Sequence, residues 1–127
     1  MILINYIIIN FGDFLESSNE IKSFENKQEA EGLLKKSRKR IDEIDNELFD
    51  LISQRTSLAK DIVRAKKYLD MPIFDKNRED AVHKKIEKLS VEKGLDVDII
   101  DQIVDMLTIL NKNEQEKILR RNVDGQY

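Results

Sequence analysis

Two long cationic side chains share one face of a predicted helix, and their spacing suits the binding of a small dianion. Arg55 stands in an apolar heptad seam where a hydrophobic residue is due, and Lys66 follows it by eleven residues. Eleven residues make three helical turns to within about 20°, which puts the two Cα atoms about 16 Å apart on one face. Side chains of this length that lean toward each other can bracket a ligand with two negative charges.

An Arg in an apolar seam needs a negative partner, because removing its charge from water is costly. A carboxylate of a partner chain would satisfy Arg55 as well as an anionic ligand would. Arg38 lies seventeen residues earlier, which is about 25 Å along a helix and about a quarter turn off that face. If Arg38 serves the same small ligand, it must come from the other subunit of an antiparallel pair.

Polar residues of two further predicted helices could complete such a site. Asp75 is the expected N-cap of one helix, and Arg78 and Glu79 follow it in the first turn. A surface ion pair that complements the helix dipole would also explain Glu79. Asn111 and Gln115 extend the apolar stripe of the last helix at positions i and i+4, where they could bind a ligand or set the helix register.

The composition excludes several kinds of chemistry. The chain of 127 residues has no Cys and one His, so it cannot form a disulfide framework, a thiolate metal site or a cluster of histidine ligands. His83 is predicted to lie on a solvated face beside two lysines. The 4 glycines are scattered and form no phosphate-binding loop. The composition therefore excludes metal sites built on cysteine or on several histidines, and the sequence gives no support for nucleotide chemistry.

The elements that position these residues are predicted to be helices. Charged residues make up 37% of the chain, with 4 Gly and 1 Pro, which is typical of long helices with ion pairs. A first helix should run from about Glu29 to Leu69 and end before Pro72. A second should run from Lys76 to about Glu92 and end before Gly94. A third should begin after the Asp96 cap and run to about Arg120. The apolar seam of the first helix consists of Ile41, Ile44, Leu48, Leu51, Leu58, Ile62, Ala65 and Leu69.

The length of the first helix predicts a homodimer. A helix of about 40 residues is about 60 Å long, whereas a compact chain of 127 residues has a radius of gyration of about 14 Å. Its own chain cannot cover its seam, so a second, antiparallel copy is the simplest partner. We expect residues 1–30 to be an N-terminal extension of uncertain structure, 31–121 the helical domain and 122–127 a C-terminal tail.

Charge and hydropathy predict a cytoplasmic protein without nucleic-acid or membrane partners. The chain has 22 basic and 25 acidic residues and no basic arm. The apolar stretch at residues 1–11 is too short to span a bilayer, and it lacks the basic region and cleavage site of a signal peptide.

Taken together, the polar residues resemble those of the all-helical class of chorismate mutases. Asn111 stands where that family has a short polar residue, often Ser, and Gln115 where it has Gln or Glu. The other matching positions follow the spacing R-x16-R-x10-K-x8-D-x2-R-E at Arg38, Arg55, Lys66, Asp75, Arg78 and Glu79.

The resemblance implies an all-α fold of three helices per chain, long, medium and long, in an intertwined, domain-swapped homodimer. Each of two equivalent sites would take Arg38 from the other subunit. Arg38 and Arg55 would hold the carboxylates of chorismate, and Lys66 and Gln115 would donate to its ether oxygen. Of the remaining residues, Glu79 would take the ring hydroxyl with Asp75 nearby, Arg78 would support the carboxylate cluster and Asn111 would touch a carboxylate.

The implied activity is the conversion of chorismate to prephenate, in phenylalanine and tyrosine biosynthesis, by a 3,3-sigmatropic Claisen rearrangement. This unimolecular step needs no nucleophile, metal or cofactor. Because Gln115 is neutral, we expect activity to stay broad through neutral pH. Two alternatives remain: an isochorismate pyruvate lyase of the same fold, against which the Asp-x-x-Arg-Glu segment argues, and a non-catalytic helical dimerisation module.

Overall fold

The computed structural model describes residues 21–123, in which every regular element is an α-helix. These helices are α1 (Lys27–Ser57), α2 (Ala59–Tyr68), α3 (Lys76–Glu92) and α4 (Val97–Val123). The predicted all-α class is confirmed for this part of the chain. Residues 1–20 and 124–127 lie outside the described residues, and they include most of the predicted extension and tail, so the predicted domain limits stay predictions.

The first predicted helix is present as two consecutive segments, α1 and α2, separated at Leu58. The backbone of Leu58 stays in the helical region, with φ −69° and ψ −14°, and its carbonyl accepts a bond from the Ile62 N–H at 3.0 Å. Just before it, the hydroxyls of Thr56 and Ser57 donate to the carbonyls of residues 52 and 54, each at 2.8 Å. Hydroxyl groups that bond back to the preceding turn commonly distort a helix, and this explains the interruption.

The other helix ends follow the predicted local chemistry. The side chain of Asp75 accepts from the N–H of Arg78 at 3.1 Å, and α3 begins at the next residue. Asp96 caps α4 in the same way, accepting from the N–H of Ile99 at 3.0 Å. After α3, Gly94 has φ 68°, a left-handed conformation that glycine adopts without steric cost. The predicted caps and stop are confirmed.

By backbone packing the chain divides between Glu43 and Ile44 into two units. Within the second unit, α4 packs against both α2 and α3, and the buried residues there are Ala59, Val63, Ser90 and Gln115. Such a small core leaves much apolar surface uncovered among the described residues. Exposed seam residues include Ile41 in the first unit and Ile44, Leu48, Leu51 and Leu58 in the second.

Among residues 21–123, no helix combines the length and the apolar character that crossing a membrane would require.

Candidate active site

A cavity of about 380 Å³ opens in the second unit, between the end of α1, α2, the start of α3 and α4. The structure brings seven of the eight predicted site residues together around it. Arg38, the eighth, belongs to the other unit. The seven are Arg55, Lys66, Asp75, Arg78, Glu79, Asn111 and Gln115.

Lys66 reaches the cavity from the last turn of α2 and is held by two hydrogen bonds. Its ammonium donates to the Ile73 carbonyl at 2.5 Å and to Oε1 of Gln115 at 3.2 Å. Ile73 lies in the turn after α2, where the N–H of Met71 returns to the carbonyl of Lys66 at 2.8 Å. An ammonium has three N–H donors, so one remains for a ligand.

The Lys66 ammonium is partly buried, and the charges around it act on its pKa in opposite directions. Burial lowers the pKa of its ammonium below the usual 10.5, and the nearby charge of Lys112 lowers it further. The carboxylates of Asp75 and Glu79 act in the opposite direction and raise the pKa. A partly desolvated positive charge interacts more strongly with a negative atom than an exposed one does.

Two amide side chains on α4 form a hydrogen-bonded row with Lys66 and α1. Gln115 is buried, with 3% of its surface exposed. Its Nε2 donates to Oδ1 of Asn111 at 2.7 Å. Asn111 in turn donates from Nδ2 to the carbonyl of Arg55 at 3.1 Å. The Lys66 ammonium can only donate and the Arg55 carbonyl can only accept, so these two outer partners fix the oxygen and nitrogen ends of both amides.

Arg55 occupies the gap in the seam that the sequence showed, and it points back into its own chain. Its Nη1 donates to the carbonyl of Leu107 on α4 at 3.0 Å. A guanidinium has five N–H donors in a planar fork, so this bond fixes the side chain while leaving donors for a carboxylate. The residue is half-buried, which strengthens such a contact.

The start of α3 brings three charged side chains to the cavity. Asp75 is the N-cap, and the first turn that it stabilises carries Arg78 and Glu79. Glu79 forms an ion pair with Lys112 of α4, with 2.9 Å between Oε2 and Nζ.

Several cavity residues were not predicted from the sequence. The apolar walls come from Leu58, Ile62, Ile73 and Val82, and Thr108 and Lys112 add polar groups. Lys112 lies three residues before Gln115 and therefore on the same helical face, but this spacing alone does not distinguish it from a solvated lysine.

Positive charge dominates the lining of the cavity. The cationic side chains are Arg55, Lys66, Arg78 and Lys112, and the anionic ones are Asp75 and Glu79. Four positive charges against two leave an excess of two, so the arrangement favours a small dianion.

His83 differs from its prediction as a solvated residue. Its Nδ1 lies 2.6 Å from Oδ1 of Asp101 and its Nε2 lies 3.3 Å from Oδ1 of Asp105, so it links α3 to α4. The hydrogen bond with Asp101 raises the pKa of the imidazole above 6.5. The three side chains have ligand atoms within 4.8 Å of one another, but none of them lines the cavity.

Comparison with known proteins places the site residues inside a recognised family region. Residues 37–121 match the family described as Chorismate mutase type II. Over 82 residues the chain is 43% identical to the chorismate mutase of Methanocaldococcus jannaschii, and the alignment covers 65% of this chain and 83% of that protein. The family match contains all eight predicted site residues.

Proposed function

This chain belongs to the type II chorismate mutase family, and we propose that the cavity lined by Lys66 and Gln115 is where it rearranges chorismate. The protein is a chorismate mutase, an isomerase that converts chorismate to prephenate. In this Claisen rearrangement the ether C–O bond breaks while a C–C bond forms in the same molecule, so no group has to be transferred to the protein. We place the reaction in phenylalanine and tyrosine biosynthesis.

The observation that carries the assignment of the site is the fixed pair of donors at Lys66 and Gln115. As the C–O bond lengthens, negative charge grows on the ether oxygen. Lys66 keeps an N–H beyond its two bonds, and Gln115 keeps the second N–H of its amide. Donors that are already oriented stabilise this charge without reorganising during the reaction. Lys66 is the main electrostatic contributor because it carries a full charge.

The carboxylates of chorismate match the positive excess of the cavity. Arg55 would hold one of them, since a planar guanidinium pairs with a carboxylate through two parallel hydrogen bonds. Arg38 of the partner subunit would hold the other, and Arg78 and Asn111 would support this cluster. Fixing both carboxylates selects the folded conformer of the substrate in which the reacting carbons are close.

The ring hydroxyl of chorismate is assigned to Glu79, with Asp75 close by. A carboxylate accepts a hydrogen bond from a hydroxyl, and the ion pair with Lys112 keeps Glu79 at the cavity. The mutase reaction is favoured over the related lyase reaction by the presence of Asp75, Arg78 and Glu79.

The apolar seam supports an intertwined homodimer as the functional form. Seam residues Leu48, Leu51 and Leu58 are exposed in the single chain, and a second copy would cover them while bringing its Arg38 to the site. We expect light scattering to give twice the mass of 14.9 kDa. A Leu51→Glu variant should shift toward monomer and lose activity, because a carboxylate in a dimer seam is costly to desolvate.

The activity is tested by following chorismate loss and identifying the product. Formation of prephenate with no release of pyruvate supports the proposal. Release of pyruvate from isochorismate would instead favour the lyase. A purified dimer that consumes neither substrate, and whose melting temperature is unchanged by a bicyclic transition-state analogue, would favour a dimerisation module.

A further inference from the structure

We propose that Lys112 is a positioning residue for the rearrangement, holding the Glu79 carboxylate where it receives the ring hydroxyl of chorismate. The inference rests on the proposed function of the cavity and extends it to a residue outside the sequence motif. Lys112 acts through Glu79 and is not assigned a contact with the reacting atoms.

The ion pair between Lys112 and Glu79 differs from the other ion pairs of the described residues in its burial. The two side chains are 27% and 24% exposed, whereas Lys76 and Asp80, an exposed pair on α3, are 74% and 56% exposed. Exposed pairs contribute little, because water screens them and long side chains lose entropy on pairing. A pair that is three-quarters shielded from water holds its geometry more strongly.

The Lys112–Glu79 pair also connects two helices at the cavity. Most ion pairs here join residues three or four apart on one helix. Lys112 instead comes from α4 and Glu79 from the first turn of α3, and both line the cavity. The bond therefore fixes a catalytic-site carboxylate from the opposite wall.

A second contact restrains the Lys112 ammonium from the side of the α3 cap. Its Nζ lies 5.1 Å from the centroid of the Phe74 ring, just before the N-cap Asp75. A cation within about 6 Å of an aromatic face is attracted by the ring quadrupole. With Phe74 and Glu79 as two separate partners, Lys112 has little freedom to move, and Glu79 is held by a fixed group.

Lys112 also helps to keep the remaining N–H of Lys66 available for the substrate. The charges of both Glu79 and Lys112 act on the Lys66 ammonium, the first raising its pKa and the second lowering it. Without Lys112, the Glu79 carboxylate would have no ion-pair partner and could turn to Lys66. It would then compete with the ether oxygen for the N–H that stabilises the transition state.

The test is a double-mutant cycle of Lys112→Met and Glu79→Gln, with chorismate as the substrate. We expect Lys112→Met to lower kcat/KM about 10- to 100-fold, as small misplacements of a substrate-binding group do. In the Glu79→Gln background the same change should have almost no further effect, because the group that it positions is already altered. Lys112→Arg should recover most of the activity.

A pH profile adds a result that a merely structural role would not produce. Activity requires a charged Lys66, so it should fall at alkaline pH as this ammonium loses its proton. In Lys112→Met the fall should move to higher pH, because a charge that lowers the pKa of Lys66 has been removed. Lys117→Met, an exposed lysine on the same helix, is the matched control and should leave rate and profile unchanged.

The outcomes separate this inference from the assignment of the cavity. If the wild type does not convert chorismate, the proposed function fails and the inference falls with it. If the wild type is active, then unchanged kcat/KM in Lys112→Met, or losses that add fully with Glu79→Gln, overturn the inference alone. Should Lys112→Met fail to fold by circular dichroism, the neutral Lys112→Gln replaces it in the same cycle.

Discussion

The Lys66 ammonium and the Gln115 amide are joined by a hydrogen bond of 3.2 Å, with Lys66 donating to Oε1 of Gln115. This bond links α2 to α4 at the cavity and fixes which end of the amide faces the lysine. The nitrogen end of Gln115 then faces Asn111 at 2.7 Å. Both proposed donors to the ether oxygen are thus oriented before any substrate binds, as electrostatic stabilisation of a transition state requires.

Lys66→Ala should lower kcat by about 100- to 1,000-fold, the usual cost of removing one oriented donor to a developing negative charge. The dimer should persist, because Lys66 lies at the cavity and not in the apolar seam. Lys67→Ala is the matched control, since Lys67 is the next residue on α2 and is exposed. Initial rates of chorismate loss, with light scattering for the mass, provide the measurement. Full activity in Lys66→Ala would contradict the mechanism.

The neutral amide of Gln115 predicts activity that stays broad through neutral pH. An amide donates an N–H at any pH in this range, whereas a carboxylic acid donates only when protonated. Gln115→Glu should therefore confine activity to acidic solution, and the wild type should not show this limit. The measurement is kcat against pH for both proteins. A wild-type rate that collapses between about pH 5 and about pH 7, where an acid with a raised pKa would titrate, would count against this role.

The sequence predicts most of the fold because its helix ends depend on local chemistry. Asp75 and Asp96 are capping residues, and Gly94 accepts a positive φ, so their effects require no knowledge of distant contacts. The interruption at Leu58 was not predicted. It depends on the rotamers of hydroxyl side chains, which an apolar repeat does not specify.

The candidate site is only partly predictable, for a related reason. Residues that break an apolar pattern, such as Arg55 and Gln115, stand out in the sequence. Lys112 does not, because a lysine on a helix is ordinarily a solvated residue, and its role depends on the approach of α3 to α4. The bond from Lys66 to the carbonyl of Ile73 likewise depends on the turn that follows α2.

The assignment of Arg38 to the partner's site predicts complementation between two inactive variants. Arg38→Ala and Lys66→Ala should each be nearly inactive as homodimers. In a heterodimer, the site built on the intact Lys66 would receive the intact Arg38 of the other chain. Random mixing gives half heterodimers with one working site each, so about a quarter of wild-type activity should return.

This complementation is measured on coexpressed or jointly refolded chains, with each variant alone as the control. If Arg38 acted within its own chain, every site in the mixture would lack one of the two groups. A mixture as inactive as either variant would therefore exclude the assignment in trans.

The contact between His83 and Asp101 predicts that stability decreases as pH rises. The hydrogen bond with Asp101 raises the pKa of His83 above 6.5, the charges of Asp101, Asp105 and Asp80 act in the same direction, and burial opposes them. Because the pKa of His83 is raised in the folded state, its imidazolium stabilises the protein fully at pH values below the pKa that His83 has in the unfolded chain. This contribution disappears as pH rises through the higher folded pKa.

The melting temperature of the wild type should therefore fall as pH rises above 6.5, the ordinary pKa of the imidazole. The melting temperature of His83→Gln should fall less over the same range. Both proteins are compared by circular dichroism at one protein concentration, because dimer formation adds to the stability. EDTA is included so that no divalent cation takes the place of the proton among His83, Asp101 and Asp105. Lys84→Gln, at an exposed neighbour on α3, should retain the wild-type pH dependence. If the melting temperatures of His83→Gln and the wild type fall in parallel, the imidazolium does not hold α3 to α4.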